Sequence, residues 1–170
     1  MGARMINHSE LITLFVDCIK TKRYIDNRTQ NTVWYKGSQD ETSFNLYNFY
    51  RPRNYFVEPA KCLERPDVIL FYQHGISAVV EAKTSRSDFL ADFKKKHRQV
   101  GQGMGDYKYI LCDEDIDIKE LPDEWGILRI KDIGKRKPYL YMHKQAVKQS
   151  KNFYEEIELL TMLLNGGKNE

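Results

Sequence analysis

Apolar residues at helical spacing predict helices at both ends of the chain. Near the start, four apolar residues recur at three- and four-residue intervals: Leu11, Leu14, Phe15 and Cys18. Because Ser9 just before them is a favourable N-cap residue, this pattern predicts an amphipathic helix over residues 10–20. A similar spacing of apolar residues predicts a closing helix over residues 153–164.

The middle of the chain carries shorter apolar runs that are typical of β-strands. Residues 67–73 and 76–83 are two β-rich segments separated by a short turn, so they predict a hairpin. A helix is predicted after the hairpin, and a third strand follows over residues 107–112. A helical connection favours parallel addition of this strand to the same sheet by a right-handed crossover.

The remaining segments complete the predicted fold. Residues 125–130 and 138–142 predict two further strands on either side of a basic turn. Residues 21–61 are richer in polar and aromatic side chains and predict short strands and loops. Together these segments predict one domain over residues 1–170 with an α/β fold. Its central mixed β-sheet would have roughly four to six strands and be flanked by helices.

Length and composition agree with a single globular domain. The chain has 170 residues, of which 41% are apolar, 12% aromatic and 30% charged. Apolar runs fall well short of the ~20 residues needed to cross a bilayer, and the start of the chain lacks the apolar region of a signal peptide. We therefore expect a cytoplasmic protein without a membrane partner.

Cysteine and histidine residues are few and scattered, which argues against several common chemistries. The three cysteines form no Cys-x-x-Cys motif, as expected for buried, reduced thiols rather than a zinc site or a disulfide framework. The four histidines are equally dispersed, so the sequence does not support a histidine metal site or a Ser/His/Asp triad.

The predicted hairpin brings two carboxylates and a lysine together. Asp67 falls opposite Glu81 or one residue away, depending on the turn geometry. Because side chains alternate along a strand, Glu81 and Lys83 project to one side, whereas Ala82 points to the other. Hard divalent ions such as Mg²⁺ bind oxygen, so Asp67, Glu81 and the Ala82 carbonyl are predicted metal ligands. The Lys83 ammonium would hold or deprotonate the attacking water and offset charge in the transition state.

The same residues resemble a known signature. The motif Pro66-Asp67, followed after thirteen residues by Glu81-Ala82-Lys83, is similar to that of the PD-(D/E)XK nuclease superfamily. The predicted order of helix, three strands, helix and strand over residues 9–113 is the restriction-endonuclease-like core that this resemblance implies. It further implies Mg²⁺-dependent hydrolysis of phosphodiester bonds in DNA, with the two acids and the lysine as catalytic residues and Mn²⁺ as a substitute metal.

Four further segments narrow this resemblance: residues 65–69, 80–92, 103–109 and 125–128. They are similar to an uncharacterised bacterial and phage branch of the superfamily, related to the proteins called MmcB-like. By the same resemblance, Glu10 on the opening helix would be an additional catalytic acid near the metal. A favourable interaction with the helix dipole explains a glutamate in the first turn equally well.

A predicted strip of basic residues flanks these acids. Its members follow the hairpin along the chain: Arg86, Lys94, Lys95, Lys96, Arg98 and Lys108. If the helix after the hairpin lies beside the metal site, these side chains contact the phosphates of nucleic acid. The net charge of +3 is a weak indication of such a partner. Alternatively, cations near a helix C-terminus interact only with its dipole and with solvent.

Three interpretations remain open at this stage. The first, which we favour, is a metal-dependent nuclease that cleaves DNA. The second is a nucleic-acid-binding module that retains the nuclease scaffold with little or no turnover. The third is a structural or interaction protein, in which the acids and the lysine are chance surface residues and Glu81 with Lys83 forms a solvated, salt-bridged face.

Overall fold

The computed structural model describes residues 6–25, 49–59, 64–92, 94–95, 98, 102–113, 121–131 and 138–165. Three α-helices are described in full: α1 (His8–Thr21), α2 (Arg86–Asp92) and α3 (Phe153–Leu164). The described strands are β1 (Tyr24–Ile25), β2 (Asn54–Val57), β3 (Val68–Phe71), β4 (Ser77–Lys83), β5 (Tyr107–Asp113), β6 (Gly126–Lys131) and β7 (Tyr139–Lys144). None of the helices in these ranges is both long enough and apolar enough to span a membrane.

The strands form one mixed sheet in the order β1-β7-β6-β5-β4-β3-β2. Strands β4, β5 and β6 run parallel, as do β1 and β7, whereas the other neighbouring pairs are antiparallel. The predicted mixed α/β architecture is confirmed, but the described sheet has seven strands instead of roughly four to six. The edge strands β1 and β2, of two and four residues, lie within residues 21–61, for which short strands and loops were predicted without bounds.

Strands β3 and β4 form the predicted hairpin. The chain reverses through a 3-10 turn over Gln73–Gly75, whose last residue has a left-handed φ of 70° that glycine adopts without a steric penalty. At the end away from the turn, the last registered pair is Val68 with Val80. One step further along both strands, Asp67 therefore lies opposite Glu81.

Helix α2 connects β4 to β5, and these two strands pair in parallel, which confirms the predicted parallel addition of β5 to the sheet. Strand β5 lies between β4 and β6 near the middle of the sheet. Six of its seven residues are buried. A charged residue on β5 is therefore enclosed by the protein and has to find its partners there.

The helices cover opposite faces of the sheet, as predicted. On the first face, α1 packs against β3 to β7 in one continuous apolar cluster. On the second face, Phe89 of α2 packs against β5 and β6, and Leu159 of α3 packs against β3 and β4. The end of the β3-β4 hairpin thus lies near the start of α1 and the end of α2.

Helix α1 begins two residues earlier than predicted. Asn7, not Ser9, is the N-cap, and its side-chain oxygen accepts a hydrogen bond of 2.9 Å from the Glu10 N–H. This bond satisfies one of the backbone donors that the first turn of a helix leaves unpaired. The earlier start places His8 inside the helix, three positions before the buried Leu11.

Candidate active site

Asp67 is fixed at the open end of the hairpin, opposite Glu81. The Ala82 N–H donates a hydrogen bond of 2.7 Å to Asp67 Oδ2. The backbone carbonyl of Asp67 accepts a second bond of 2.8 Å from the Glu58 N–H. The two acids therefore lie on neighbouring strands, as predicted from the hairpin.

Ala82 offers its backbone, not its side chain, to this region. Its methyl group belongs to the apolar cluster beneath α1. In an extended strand the N–H and the C=O of one residue point to the same neighbouring strand, so the Ala82 carbonyl lies on the Asp67 side of β4. A cation bound by both the Asp67 carboxylate and the backbone requires a carbonyl group with this orientation.

A histidine and another acid approach Asp67 from two other elements. His8 Nε2 of α1 lies 3.1 Å from Asp67 Oδ2. Glu58 follows β2, and one ligand atom from each of His8, Glu58 and Asp67 lies within 4.8 Å of the others. The side chain of His8 is 39% exposed and that of Asp67 is 16% exposed, so the cluster is open to solvent.

The contact of His8 with Asp67 was not predicted. The scattered histidines indicate no shared site, and Glu10 is the expected helix acid, yet the cluster around Asp67 contains His8 and does not include Glu10. One feature of the sequence did indicate that His8, and not Glu10, lies toward the sheet. His8 precedes Leu11 by three positions and so lies on the stripe by which α1 packs on the sheet, whereas Glu10 lies off it.

Lys83 lies beside Glu81, as predicted, within a buried group of charges. Its Nζ is 4.0 Å from Glu81 Oε2 and 3.3 Å from Asp92 Oδ2. Glu81 is 2% exposed, Lys83 5% and Asp92 4%. The interpretation of Glu81 and Lys83 as part of a solvated surface is therefore wrong.

Asp92, at the end of α2, is an ionised acid that contacts the basic residues of this group. Its carboxylate contacts Lys95 Nζ at 2.5 Å and Arg98 Nε at 2.8 Å. Burial disfavours the charged carboxylate, but the positive charges of Arg98, Lys95 and Lys83 outweigh burial and lower the pKa of Asp92 to about 2. Asp92 therefore remains ionised at neutral pH and balances Lys83.

Arg98 is buried among the acids and is not presented to solvent. It is 2% exposed, with Nη2 2.7 Å from Glu81 Oε2 and Nη1 3.1 Å from Glu64 Oε1. A third bond joins its Nε to Asp92. The prediction that Arg98 contacts nucleic acid is wrong, because three carboxylates inside the protein occupy its guanidinium. Arg98 instead holds Glu81 in position.

Lys108, on the central strand β5, is fully buried. Its Nζ donates a hydrogen bond to the Gln102 carbonyl and lies 5.8 Å from the centre of the Trp125 ring. Burial lowers the pKa of Lys108. The prediction that it contacts a phosphate is wrong, because both faces of the sheet are covered at this position.

The other described residues of the predicted basic strip are exposed, unlike Arg98 and Lys108. Arg86, Lys94 and Lys95 are exposed on α2 and just beyond it. Lys96 lies outside the described residues. Of the described members of the predicted basic strip, these three are exposed, and their contact with phosphates remains a prediction.

The Glu81 carboxyl is strongly perturbed by its surroundings. Burial raises the pKa of Glu81 to about 8, the positive charges of Arg98 and Lys83 oppose the rise, and the negative charge of Asp67 adds to it. Its Oε2 faces Arg98, whereas Oε1 is buried with no hydrogen-bond partner among the described residues. A buried polar atom without a partner is uncommon and costs stability, and an added cation would relieve that cost.

These donors fit a divalent cation. Asp67 and Glu58 of the cluster with His8 provide carboxylate oxygens, which suit Mg²⁺ and Mn²⁺, whereas Glu81, opposite Asp67, is not a member of that cluster. The His8 nitrogen favours Mn²⁺ over Mg²⁺, because imidazole is the softer ligand. A cation beside Glu81 would also satisfy its Oε1, which has no hydrogen-bond partner among the described residues.

Comparisons with known proteins add little to this description. No family model matches the sequence, and no curated protein matches it. A solved structure described as SPO1766 protein of unknown function from Silicibacter pomeroyi is 24% identical, with a TM-score of 0.49. The similarity covers 66% of this chain and 73% of that chain. A similarity at this level does not bear on the activity of either protein.

Proposed function

We propose that this protein is a divalent-metal-dependent nuclease that hydrolyses phosphodiester bonds in DNA on a restriction-endonuclease-like core. The observation that carries the proposal is the Glu81 carboxylate. Its Oε1 is buried without a partner among the described residues, Asp67 lies opposite it directly before β3, and Lys83 Nζ is 4.0 Å from Oε2. A purely structural arrangement would gain little from this placement of charge, because desolvating the groups costs more than a single contact restores.

Asp67 and Glu81, together with His8 and Glu58, are the side chains that would hold the metal. The Ala82 carbonyl lies on the same side of β4 and would support them from the backbone. Mg²⁺ or Mn²⁺ in such a site supplies an activated water and neutralises charge on the phosphate that is attacked.

Lys83 acts beside these ligands as a fixed cation. Its ammonium has three donors, and Asp92 at 3.3 Å occupies one of them. The others remain available to orient a water or to contact a phosphate oxygen as its negative charge increases. Arg98 holds Glu81 through Oε2 and thereby leaves Oε1 to the metal.

Cleavage assays on plasmid, linear duplex and single-stranded DNA test the proposal directly. DNA should be cut with Mn²⁺ or Mg²⁺ and remain intact with EDTA. RNA in a parallel reaction establishes the sugar preference. DNA that is bound but never cut, with any of these metals, would favour the binding-module interpretation over the nuclease.

Metal binding should depend on His8 and not on Glu10. His8→Gln removes a nitrogen donor from the cluster around Asp67 and should weaken Mn²⁺ binding by at least about 10-fold. Glu10→Gln should bind Mn²⁺ like the parent, because Glu10 is not in that cluster. Calorimetric titration without DNA measures both constants. The opposite ranking would restore Glu10 to the site and remove His8 from it.

Metal binding should also release a proton from Glu81. With a pKa of about 8, most Glu81 carboxyls are protonated at pH 7 and must lose that proton to bind a cation. Metal affinity should therefore rise about fivefold between pH 7 and pH 8 and about tenfold in all, levelling off above the pKa. Calorimetry in buffers of different ionisation enthalpy counts the protons, and Glu81→Gln isolates the contribution of this group. Equal proton release at pH 7 and pH 9 would contradict the assignment.

A further inference from the structure

Helix α3 carries two apolar stripes, and the sheet covers only one of them. The inner stripe includes the buried Leu159 and the half-buried Leu163, which pack against β3 and β4. The second, which we call the outer stripe, consists of Phe153, Ile157, Leu160 and Leu164. At 3.6 residues per turn, it lies roughly a third of a turn around the helix from Leu159. Packing on the sheet therefore does not account for the outer stripe.

The outer stripe is open to solvent along most of its length. Phe153 is 57% exposed, Ile157 44% and Leu164 86%. Leu160 is half-buried, and none of the four belongs to the apolar clusters that the described residues form. Together with the exposed Tyr154 beside them, these side chains present apolar surface on the order of 500 Å². A patch of this size is near the upper limit for a monomer and commonly marks an interaction site.

The spacing of the outer stripe is that of a contact between two helices. Its members are separated by four, three and four residues, the alternation by which a heptad repeat keeps one seam facing a partner helix. This spacing reads the same in both directions. An antiparallel copy of α3 therefore brings Phe153 of one copy opposite Leu164 of the other, and Ile157 opposite Leu160. Each member of the stripe thus has an apolar partner in a second copy of the chain.

The charges of α3 favour the antiparallel arrangement. Glu155, Glu156 and Glu158 all lie in its first half, whereas residues 159–164 include no charged residue. An antiparallel copy places the acidic half of each helix beside the uncharged half of the other, and opposite ends of the two helix dipoles lie together. A parallel copy would place acids beside acids and equal dipole ends side by side. The outer stripe is thus complementary to an antiparallel second copy.

Contacts on its inner side hold α3 in place. Glu156 Oε1 accepts a hydrogen bond of 2.8 Å from the Gly105 N–H, and Glu156 Oε2 lies 2.9 Å from Lys151 Nζ. The Asn152 side chain caps the first turn of the helix. Because these residues are not members of the outer stripe, a substitution in the stripe leaves the attachment of α3 to the sheet unchanged.

We propose that the outer stripe joins two copies of this chain into a symmetric dimer through antiparallel α3 helices. Both copies use the same patch, as in most homodimers. Pairing would remove about 1,000 Å² of surface from solvent, which is close to the lower limit of specific interfaces. We therefore expect a dissociation constant on the order of 10 μM. The inference goes beyond the proposed function, because the candidate active site is built from residues outside α3.

Sedimentation equilibrium of the full chain, without metal or DNA, tests the dimer. The parent should be mostly dimeric at about 100 μM. Phe153→Glu and Leu164→Lys should each weaken association by at least about 10-fold, because each variant loses an apolar contact at both ends of the symmetric interface. An acid in the first turn and a base in the last turn suit the helix dipole, so both variants should remain folded.

An equimolar mixture of these two variants tests the antiparallel register. The mixed dimer keeps one native contact between Phe153 and Leu164, and at the other end it pairs the introduced carboxylate with the introduced ammonium. The mixture should therefore associate at least about fivefold more tightly than either variant alone. In parallel helices the mixed dimer would keep neither native end contact, and its association would not recover.

Val57→Lys is the matched control. Val57 on β2 is exposed to a similar degree as Ile157. It pairs with Val68 of the apolar cluster beneath α1, so it lies on the face of the sheet away from α3. This variant should dimerise like the parent.

Three results would overturn the inference. A parent that is still monomeric at about 100 μM would leave the outer stripe to a different partner or to solvent. A dimer that persists in both Phe153→Glu and Leu164→Lys would be formed by another surface. A mixture that associates no more tightly than its components would refute the antiparallel register. If thermal melting shows that Phe153→Glu is unfolded, Leu164→Lys alone decides between the first two results, since Leu164 is the last residue of α3.

Discussion

Asp67→Asn should reduce metal-dependent cleavage of DNA by at least about 10³-fold. Asparagine keeps the size of the side chain and an oxygen that accepts the Ala82 N–H, but it lacks the charge that a divalent ion requires. Glu81→Gln should cause a loss of the same order for the same reason. Single-turnover cleavage rates measure the loss of cleavage, and calorimetric titration of Mn²⁺ measures the loss of metal binding.

Asp123→Asn is the matched control for this prediction. It removes the same carboxylate from a fully exposed side chain and should leave the cleavage rate unchanged. If Asp67→Asn binds Mn²⁺ and cuts DNA at the rate of this control, Asp67 is not a metal ligand.

The stability of Glu81→Gln provides an internal check that this variant is folded. Burial raises the folded-state pKa of Glu81 from 4.5 to about 8, so the parent loses stability as pH rises through this interval. Because glutamine cannot ionise, the variant does not lose this stability as pH rises. The variant should therefore melt at a higher temperature than the parent above pH 8, and the difference should vanish near pH 4.5.

Lys83→Met should slow cleavage by about 10²- to 10³-fold while metal binding persists or tightens. Methionine keeps much of the aliphatic volume of lysine but removes the ammonium that contacts Glu81 and Asp92. Without that positive charge nearby, a divalent ion is repelled less. The same single-turnover and calorimetric measurements distinguish this loss of cleavage alone from the result for Asp67→Asn. In that variant, cleavage and metal binding are lost together.

Lys148→Met is the matched control for Lys83→Met. Lys148 is 61% exposed and its Nζ lies 3.9 Å from an Asp106 oxygen, at a contact unrelated to the candidate site. The cleavage rate of the Lys148→Met variant should equal that of the parent. A Lys83→Met variant that binds metal and cuts as fast as this control would remove Lys83 from the mechanism, although the fold and the metal ligands would stand.

Arg98 explains how so many acids are accommodated in one buried region. Its guanidinium bonds Glu64, Glu81 and Asp92, so a single cation contacts three buried carboxyl groups and offsets the negative charge of those that are ionised. Removing one partner of such a buried group leaves charges uncompensated and is strongly destabilising. Arg98 is therefore a positioning residue whose loss would disturb the site through Glu81.

The hairpin and the pairing of its acids were predictable because they depend on local rules. Strand side chains alternate, and the turn is short, so counting outward from it places Asp67 opposite Glu81 or one residue away. The strand register of the structure selects the first of these two positions. The closing helix was equally predictable, and the structure reproduces its bounds at Phe153–Leu164. The PD-(D/E)XK resemblance draws on the same local pattern and remains a proposal.

The edge strands and the role of His8 depended on contacts that a local pattern does not contain. Strand β1 exists by pairing with β7, more than a hundred residues later in the chain. His8 meets Asp67 because α1 packs across the first face of the sheet, and Glu58 joins them because β2 pairs with β3. The sequence therefore predicted two acids of the candidate site but neither His8 nor Glu58.

The exposure of the basic residues was decided only by the tertiary structure. Lys94, Lys95, Arg98 and Lys108 carry the same charge in the sequence, yet the first two are exposed and the last two are buried. Local periodicity determined which residues form strands and which side chains share a face. Burial and ion pairing depend on what packs above each residue, and for Arg98 those partners include Glu64 and Glu81, which are distant in sequence.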